Sequence, residues 1–368
     1  MSSLSLYAHF PWCVKKCPYC DFNSHPLTGS LDENAYLEAL AVDLGATSHV
    51  LEGRQIDTVF LGGGTPSLFS PDAMARLIEA LTMHLTNAPE ITMEANPGTT
   101  EHHDFAGYLA AGVNRLSIGA QSFDPAQLKR LGRIHDVGDI SRAVSAAQLA
   151  GFDNLNIDLM YGLSDQTLEA ALGDLQRAID LGPTHISWYQ LTIEPKTEFA
   201  RRPPPLPDEA TIATMELAGR DLMAQHGYDR YEISAYARTG ARCRHNLNYW
   251  TFGDYIGIGA GAHGKLTNAH QVVRTHKPRQ PRLYLRDPTH TIEQYIDPNA
   301  IVGEFMMNAL RLVDGVDREE FQRRTGLAWS TVATTWALTS DLGLTEPDRI
   351  AATALGLQHL DTLVQHFL

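Results

Sequence analysis

Three cysteines packed within eight residues, Cys13, Cys17 and Cys20, are the first side chains in this chain whose type and spacing could do chemistry. They stand in the run Pro11-Trp12-Cys13-Val14-Lys15-Lys16-Cys17-Pro18-Tyr19-Cys20-Asp21-Phe22, spaced C-x3-C-x2-C. Thiols this close are poorly placed to staple a fold and well placed to surround a metal. Three thiolates can ligate three irons of a cubane and leave the fourth open. A tetrahedral zinc site asks for a fourth protein ligand, and no partnering C-x2-C or H-x3-H lies where one would be expected. The remaining cysteine, Cys243, belongs to no C-x-x-C-H sequence, which excludes c-type heme attachment; it reads as an inert, partly buried thiol.

The elements around the cluster form a regular alternation. Leu4 to Phe10 reads as a buried strand running straight into the cysteines, the layout of a barrel site at strand C-terminal ends. Asp32 is the expected N-cap of a helix reaching His49, with Tyr36, Leu37, Leu40 and Leu44 at helical spacing. The pattern then repeats: strand 56–61, helix 71–85, strand 90–94, helix 102–111, strand 115–118, helix 138–150, strand 154–159, helix 168–181 and strand 185–191. Alternation of this kind predicts an α/β fold with a parallel sheet and right-handed crossovers. Periodicity alone leaves open whether the sheet closes or stays doubly wound.

The proline-rich run Arg201 to Pro207 breaks the repeat, and the barrel is expected to end near it. The expected division is 1–205 for a partial (β/α)6 barrel, 206–290 for an extension rich in glycine and aromatics, and 291–368 for a smaller, mainly helical unit of winged-helix type. A chain of 368 residues has room for one large core and a second, smaller one. Its formal charge of -14 would repel a phosphate backbone, so nucleic acid is not an expected partner. No basic leader precedes a long apolar run and no apolar stretch is long enough to span a bilayer, so a cytoplasmic protein is expected, with membrane association peripheral at most.

The C-x3-C-x2-C run with an aromatic before its last cysteine resembles the radical S-adenosylmethionine (SAM) superfamily. That resemblance implies a [4Fe-4S] cluster on Cys13, Cys17 and Cys20, with SAM's methionine moiety on the open iron. It also implies an electron donor for the cluster, whose reduced form cleaves a C–S bond of SAM to a 5'-deoxyadenosyl radical. Gly62-Gly63-Gly64-Thr65-Pro66 follows the second strand, where missing side chains let backbone approach a ligand; in the superfamily such a loop contacts SAM, which assigns Gly63, Gly64 and Thr65. Glu94 matches the carboxylate that accepts from SAM's ribose hydroxyls. Gln121, Arg133 and Asp158 match further SAM contacts, and Tyr7 and Tyr19 line the same pocket.

Over nearly its whole length the chain is most similar to the oxygen-independent coproporphyrinogen III oxidase group of porphyrin metabolism, and within it to the HemW-type heme chaperones. Two features select that branch. The decarboxylating enzymes carry a fourth cysteine two residues after the third, where this chain has Phe22. The run His245-Asn246-Leu247-Asn248-Tyr249-Trp250 matches the H-N-x-x-Y-W motif of the heme-binding branch. An imidazole from His245 could coordinate heme iron, and Asn246, Tyr249 and Trp250 would lie beside the porphyrin. The resemblance implies heme as cargo and a recipient hemoprotein such as a respiratory enzyme. Radical decarboxylation of coproporphyrinogen III is the alternative. The glycine-rich run 253–264 lacks a dinucleotide-binding context; it reads as close packing over the barrel mouth, with His263 as a second heme or substrate contact the sharper option.

Overall fold

The computed structural model describes residues 4–99, 104–268 and 271–368. Six strands pair side by side in parallel: β1 (Leu4–Phe10), β2 (Ile56–Gly63), β3 (Leu85–Ala95), β4 (Arg115–Gln121), β5 (Leu155–Tyr161) and β6 (His185–Gln190). Helices fall between them as the periodicity predicts. Asp32 caps the helix Glu33–Ala46 by accepting from the Ala35 N–H at 3.0 Å. The helix expected from His102 begins outside the described residues; its described part is Phe105–Ala110, capped by Asp104. The third strand starts at Leu85, where the sequence reading still has helix, because the helix Pro71–Leu81 gives way to a single turn at Thr82–His84.

Strand alternation sorts the side chains into two environments. Outward residues such as Leu6, Ala8, Val59, Leu61, Ile118 and Ile157 are buried in one core with the surrounding helices. The inward face is polar. Asn156 donates to Ser117 Oγ at 2.7 Å and to Asp158 at 2.8 Å, and its Oδ1 takes the Nδ1 proton of His185 at 2.6 Å. Ser117 in turn donates to Asp158 at 2.9 Å. A polar interior of this sort costs stability unless every group is paired, so it marks a barrel built around a site.

The run of parallel strands β1 to β6 ends before Arg201–Pro207, but the sheet does not. It continues on both edges. After the helix Glu209–Gln225, β7 (Asp229–Glu232) and β8 (Ala235–Ala237) add antiparallel beyond β6. The chain then crosses to the far edge, where β9 (Asp254–Ile258) pairs parallel with β1. From there β10 (His263–Asn268), β11 (Gln271–His276) and β12 (Ile292–Tyr295) run antiparallel to a total of twelve strands. The physical reason is the row of unpaired N–H and C=O groups that β1 and β6 would otherwise present at open edges. Met215, Tyr228, Tyr236, Ile256 and Tyr284 from this stretch are buried in the barrel's own core.

A second core gathers Phe305, Met306, Leu310, Phe321, Trp336 and Leu363 from the C-terminal helices; Val272 reaches into it from the sheet and Phe252 from the turn before β9. Its β pairing is confined to the bridges Val316↔Ile350 and Thr345↔Ala352 within it and Glu232↔Leu312 to the sheet, among the described residues, so this unit is helical with a short winged edge. Among the described residues no helix is long and apolar enough to cross a membrane.

Candidate functional site

The three cysteines come to one place because β1 ends there. Beyond Phe10 the chain forms a short parallel bridge, Trp12–Cys13 against His25–Pro26, which closes the cysteine loop. Lys16 pins it by donating to the carbonyls of Phe22 at 2.9 Å and Ser24 at 3.2 Å. Cys13, Cys17 and Cys20 all open onto a cavity of about 260 Å3 at the C-terminal ends of the parallel strands. Burial is the first cause that pushes the Cys13 thiol up to about 11, with the neighbouring thiols adding to it, and burial also raises Cys20. A bound cationic cluster reverses this balance, since a coordinating thiol is deprotonated outright. Among the described residues no three His, Cys, Asp or Glu side chains gather closely enough for a single metal ion. Three thiols around one cavity instead fit a group in which each takes its own iron.

The opposite wall carries Gly63, Gly64 and Thr65 from the end of β2 and the loop after it, Glu94 and Gln121 from the ends of β3 and β4, and Asp158 from the middle of β5. Arg133, which comes from a loop, is part of the wall too: its Nη2 donates to the Gly119 carbonyl at 2.7 Å and its Nη1 lies 3.7 Å from Cys17 Sγ. Glu94 accepts from the Gly63 N–H at 2.9 Å, and burial, ahead of the Asp158 charge, carries its carboxyl up to about 8. Burial raises Asp158 as well, against the hydrogen bonds from Ser117 and Asn156. Two buried carboxyls that burial pushes toward their neutral form gain from a cationic, hydroxyl-bearing ligand that would stabilise their charge. Gln121 sits at φ 70°, a backbone conformation costly for a side chain, and accepts from the Tyr189 hydroxyl at 2.7 Å.

The glycines of the loop answer first to the protein itself. A Cβ on Gly64 would meet the Trp12 carbonyl oxygen at 2.4 Å, and one on Gly63, at φ +118°, would meet the His9 ring at 2.5 Å. The Gly64 N–H donates to Phe10 O and the Thr65 N–H to Trp12 O, both at 2.7 Å, so the loop is stitched to the approach of the cysteines. Tyr19 lines this cavity, but Tyr7 does not: it belongs to a second cavity of about 460 Å3, beside the first. Phe22, Gly63 and Glu94 face both. Ser24, Ser117 and Tyr189 also line the first cavity and were absent from the sequence candidates, although Tyr189 stands near the end of an expected strand.

The sequence reading offers His245 as an iron ligand, and the structure commits both of its ring nitrogens elsewhere. Thr58 donates to Ser5 at 2.7 Å and takes the His245 Nδ1 proton at 2.8 Å; Nε2 accepts from the Tyr249 hydroxyl at 3.0 Å. His245 is 1% exposed, and burial with the nearby Arg115 charge lowers it to about 3. Its helix, Arg244–Trp250, is anchored by Glu90, which accepts from the Arg244 and His245 N–H groups at 3.0 Å each. Tyr249 reaches the second cavity. Trp250 turns away, toward the C-terminal core, with the Arg311 guanidinium 4.2 Å over its ring. Asn246 is half-buried on the same helix. Cys243 is fully buried and donates toward Glu90 at 3.5 Å.

With this geometry in view, the comparisons with known proteins decide the family. The profile described as Radical SAM superfamily matches residues 7–175, and that of the HemN C-terminal domain matches 296–359. The Escherichia coli (strain K12) protein named heme chaperone HemW is 50% identical over 88% of this chain and 86% of its own length. The chain belongs to the HemW family of radical SAM proteins. The Haemophilus influenzae heme chaperone HemW is 45% identical, over 99% of this chain and 98% of its own. Among solved structures, E. coli coproporphyrinogen III oxidase (HemN) superposes with a TM-score of 0.82 at 21% identity, covering 100% of this chain and 90% of that one, which shows a shared fold. Membership of the radical SAM superfamily implies a [4Fe-4S] cluster and SAM as cofactors.

Proposed function

We propose that this chain binds heme and passes it to a hemoprotein, with a [4Fe-4S] cluster on Cys13, Cys17 and Cys20 and SAM bound beside it in the first cavity. When bound, the cluster and SAM supply one-electron chemistry. The chain's own residues do the rest. Glu94 receives ribose hydroxyls, Asp158 and Gln121 offer further acceptors, and Arg133 sets a positive charge beside Cys17. The observation that carries the reading is the shared wall: Phe22, Gly63 and Glu94 face both cavities, so cargo in the second lies against SAM in the first. The names of the 50% and 45% identical relatives support heme as that cargo. His245 acts on it through Tyr249, whose hydroxyl it holds at 3.0 Å.

The fold shared with coproporphyrinogen III oxidase favours a second reading, oxidative decarboxylation of a porphyrinogen. Against it stands Phe22, 60% exposed at the junction of the two cavities, in the position where the decarboxylating relatives place a further thiol. One anaerobic experiment separates the two. Reconstituted protein is given SAM and coproporphyrinogen III, and in parallel is titrated with heme and then mixed with a heme-free hemoprotein. Heme uptake and transfer without protoporphyrinogen IX is the expected result. Protoporphyrinogen IX formed as SAM is consumed gives the lead to the oxidase.

A further inference from the structure

The second cavity has a volume of about 460 Å3, within the range of small-molecule pockets, roughly 300–1,000 Å3. Tyr249 and Tyr255 stand on one side and Phe22 on another, so flat apolar faces flank the space. Its mouth carries the cationic Arg279 in a chain of net charge -14, beside histidines that burial holds toward their neutral form. Arg279, His9 and His263 line it, His25 donates from Nε2 to the Arg279 carbonyl at 3.2 Å, and His276 stacks on His263 with ring centroids 5.6 Å apart. The acidic groups facing it are exposed Asp21 and Glu94, the latter held toward its protonated form by burial.

These histidines differ in what their nitrogens already do. His9 accepts from Tyr7 at 2.9 Å and reaches the Asn23 carbonyl at 2.9 Å, so both its nitrogens are engaged. His25 is held by Asn23 and the Arg279 carbonyl. His245 is sealed between Thr58 and Tyr249. His263 is exposed at the cavity, and among the described residues neither of its ring nitrogens has a hydrogen-bond partner. It lies opposite His276 across the β10–β11 pair, which fixes its ring. The backbone before it is equally constrained: a Cβ on Gly257 would meet the His263 carbonyl oxygen at 2.0 Å, and one on Gly261 the Asn23 amide at 2.1 Å.

We propose that heme docks in this second cavity with its iron ligated by His263 of the β10–β11 hairpin and a propionate on Arg279. The inference rests on the heme-binding reading above and names its site. A porphyrin is flat, apolar and carries two carboxylates, which matches aromatic walls with the Arg279 guanidinium at their edge. The iron needs an imidazole nitrogen with no prior partner, and His263 is the histidine at the cavity that offers one. His276 is a positioning residue, stacked behind the ligand.

The test is titration of the full chain with hemin, read by Soret absorbance, for the parent and for His263→Ala, His276→Ala, Arg279→Ala and His245→Ala, with circular dichroism on each. His263→Ala should weaken heme binding at least about tenfold, the lower edge of what disturbing even an outer partner of a metal ligand costs. It should also shift the Soret band, and added imidazole should restore the parent spectrum, which a merely structural role would not produce. Arg279→Ala should weaken binding with the band unmoved. A His263→Ala protein that binds heme as the parent does, with the same spectrum, overturns the assignment while leaving heme binding intact. A parent that takes up no heme sinks the assignment and the chaperone reading together, so the two failures are told apart.

Discussion

Replacing Glu94 with Gln isolates the charge of a buried carboxylate while keeping its shape and the acceptor for the Gly63 N–H at 2.9 Å. Burial carries this carboxyl from 4.5 to about 8 in the folded protein. Between those values the folded state holds a proton that the unfolded chain has released, so stability is greatest below about 4.5 and falls as pH rises toward 8. Each pH step in that window is worth about 1.4 kcal/mol, which puts the loss at up to about 5 kcal/mol. Glu94→Gln should therefore match the parent near pH 5 and exceed it by several kcal/mol near pH 8 in anaerobic urea unfolding. Above about pH 8, where the carboxyl is ionised, the same change should weaken SAM, because a hydrogen bond to a charged acceptor contributes about 1.5–3 kcal/mol, roughly ten- to a hundredfold in affinity. Opposite signs for stability and ligand affinity are the signature of a group kept for binding at a cost to the fold. An unchanged pH slope, or a variant that binds SAM as tightly as the parent at that pH, would refute the reasoning.

Cys17→Ala should lose most of the roughly four irons and four sulfides expected per reconstituted chain; full iron content in that variant would remove Cys17 from the ligand set. Gly64→Ala should disturb the loop even without SAM, because the added Cβ meets the Trp12 carbonyl oxygen at 2.4 Å, and hydrogen exchange at the Thr65 amide is the readout. His245→Ala leaves Thr58 and Tyr249 without their buried partner and should cost about 1–3 kcal/mol for each group left unpaired; a melting temperature unchanged from the parent would show that water replaces the ring. Gly219→Ala drives a Cβ to 1.9 Å from the Trp188 ring and should cost about 1–3 kcal/mol through overpacking, seen as a lower urea midpoint.

The parallel barrel was legible because its signals are local. Apolar runs of strand length, helical spacing after Asp32 and a cysteine run at the end of β1 are each contained in a dozen residues. The three cysteines that meet at the first cavity were legible for the same reason, and Glu94 and Gln121 from their places near strand ends, whereas Asp158 stands mid-strand. Arg133 and Tyr189 carried weaker signals, since a loop residue and a tyrosine in a strand become cavity walls only once neighbouring strands set the distance between them.

What the sequence by itself determined is thus the repeat, its cysteine triad and its family resemblance. Tertiary structure decided where the sheet stops and which histidine is free. The pairing of β9 with β1 sets Asp254 beside Leu4 from opposite ends of the sequence repeat, and no periodicity within either segment announces it; an open β1 edge does. His245 and His263 are equally plain imidazoles in the sequence. One is sealed because Thr58 and Tyr249 come to it from elements far apart in the chain, and the other stays open because a cross-strand pair holds it at the rim. A side chain's type fixes what it can bind, whereas its burial and its existing partners fix whether a nitrogen remains to bind with, and those are properties of packing alone.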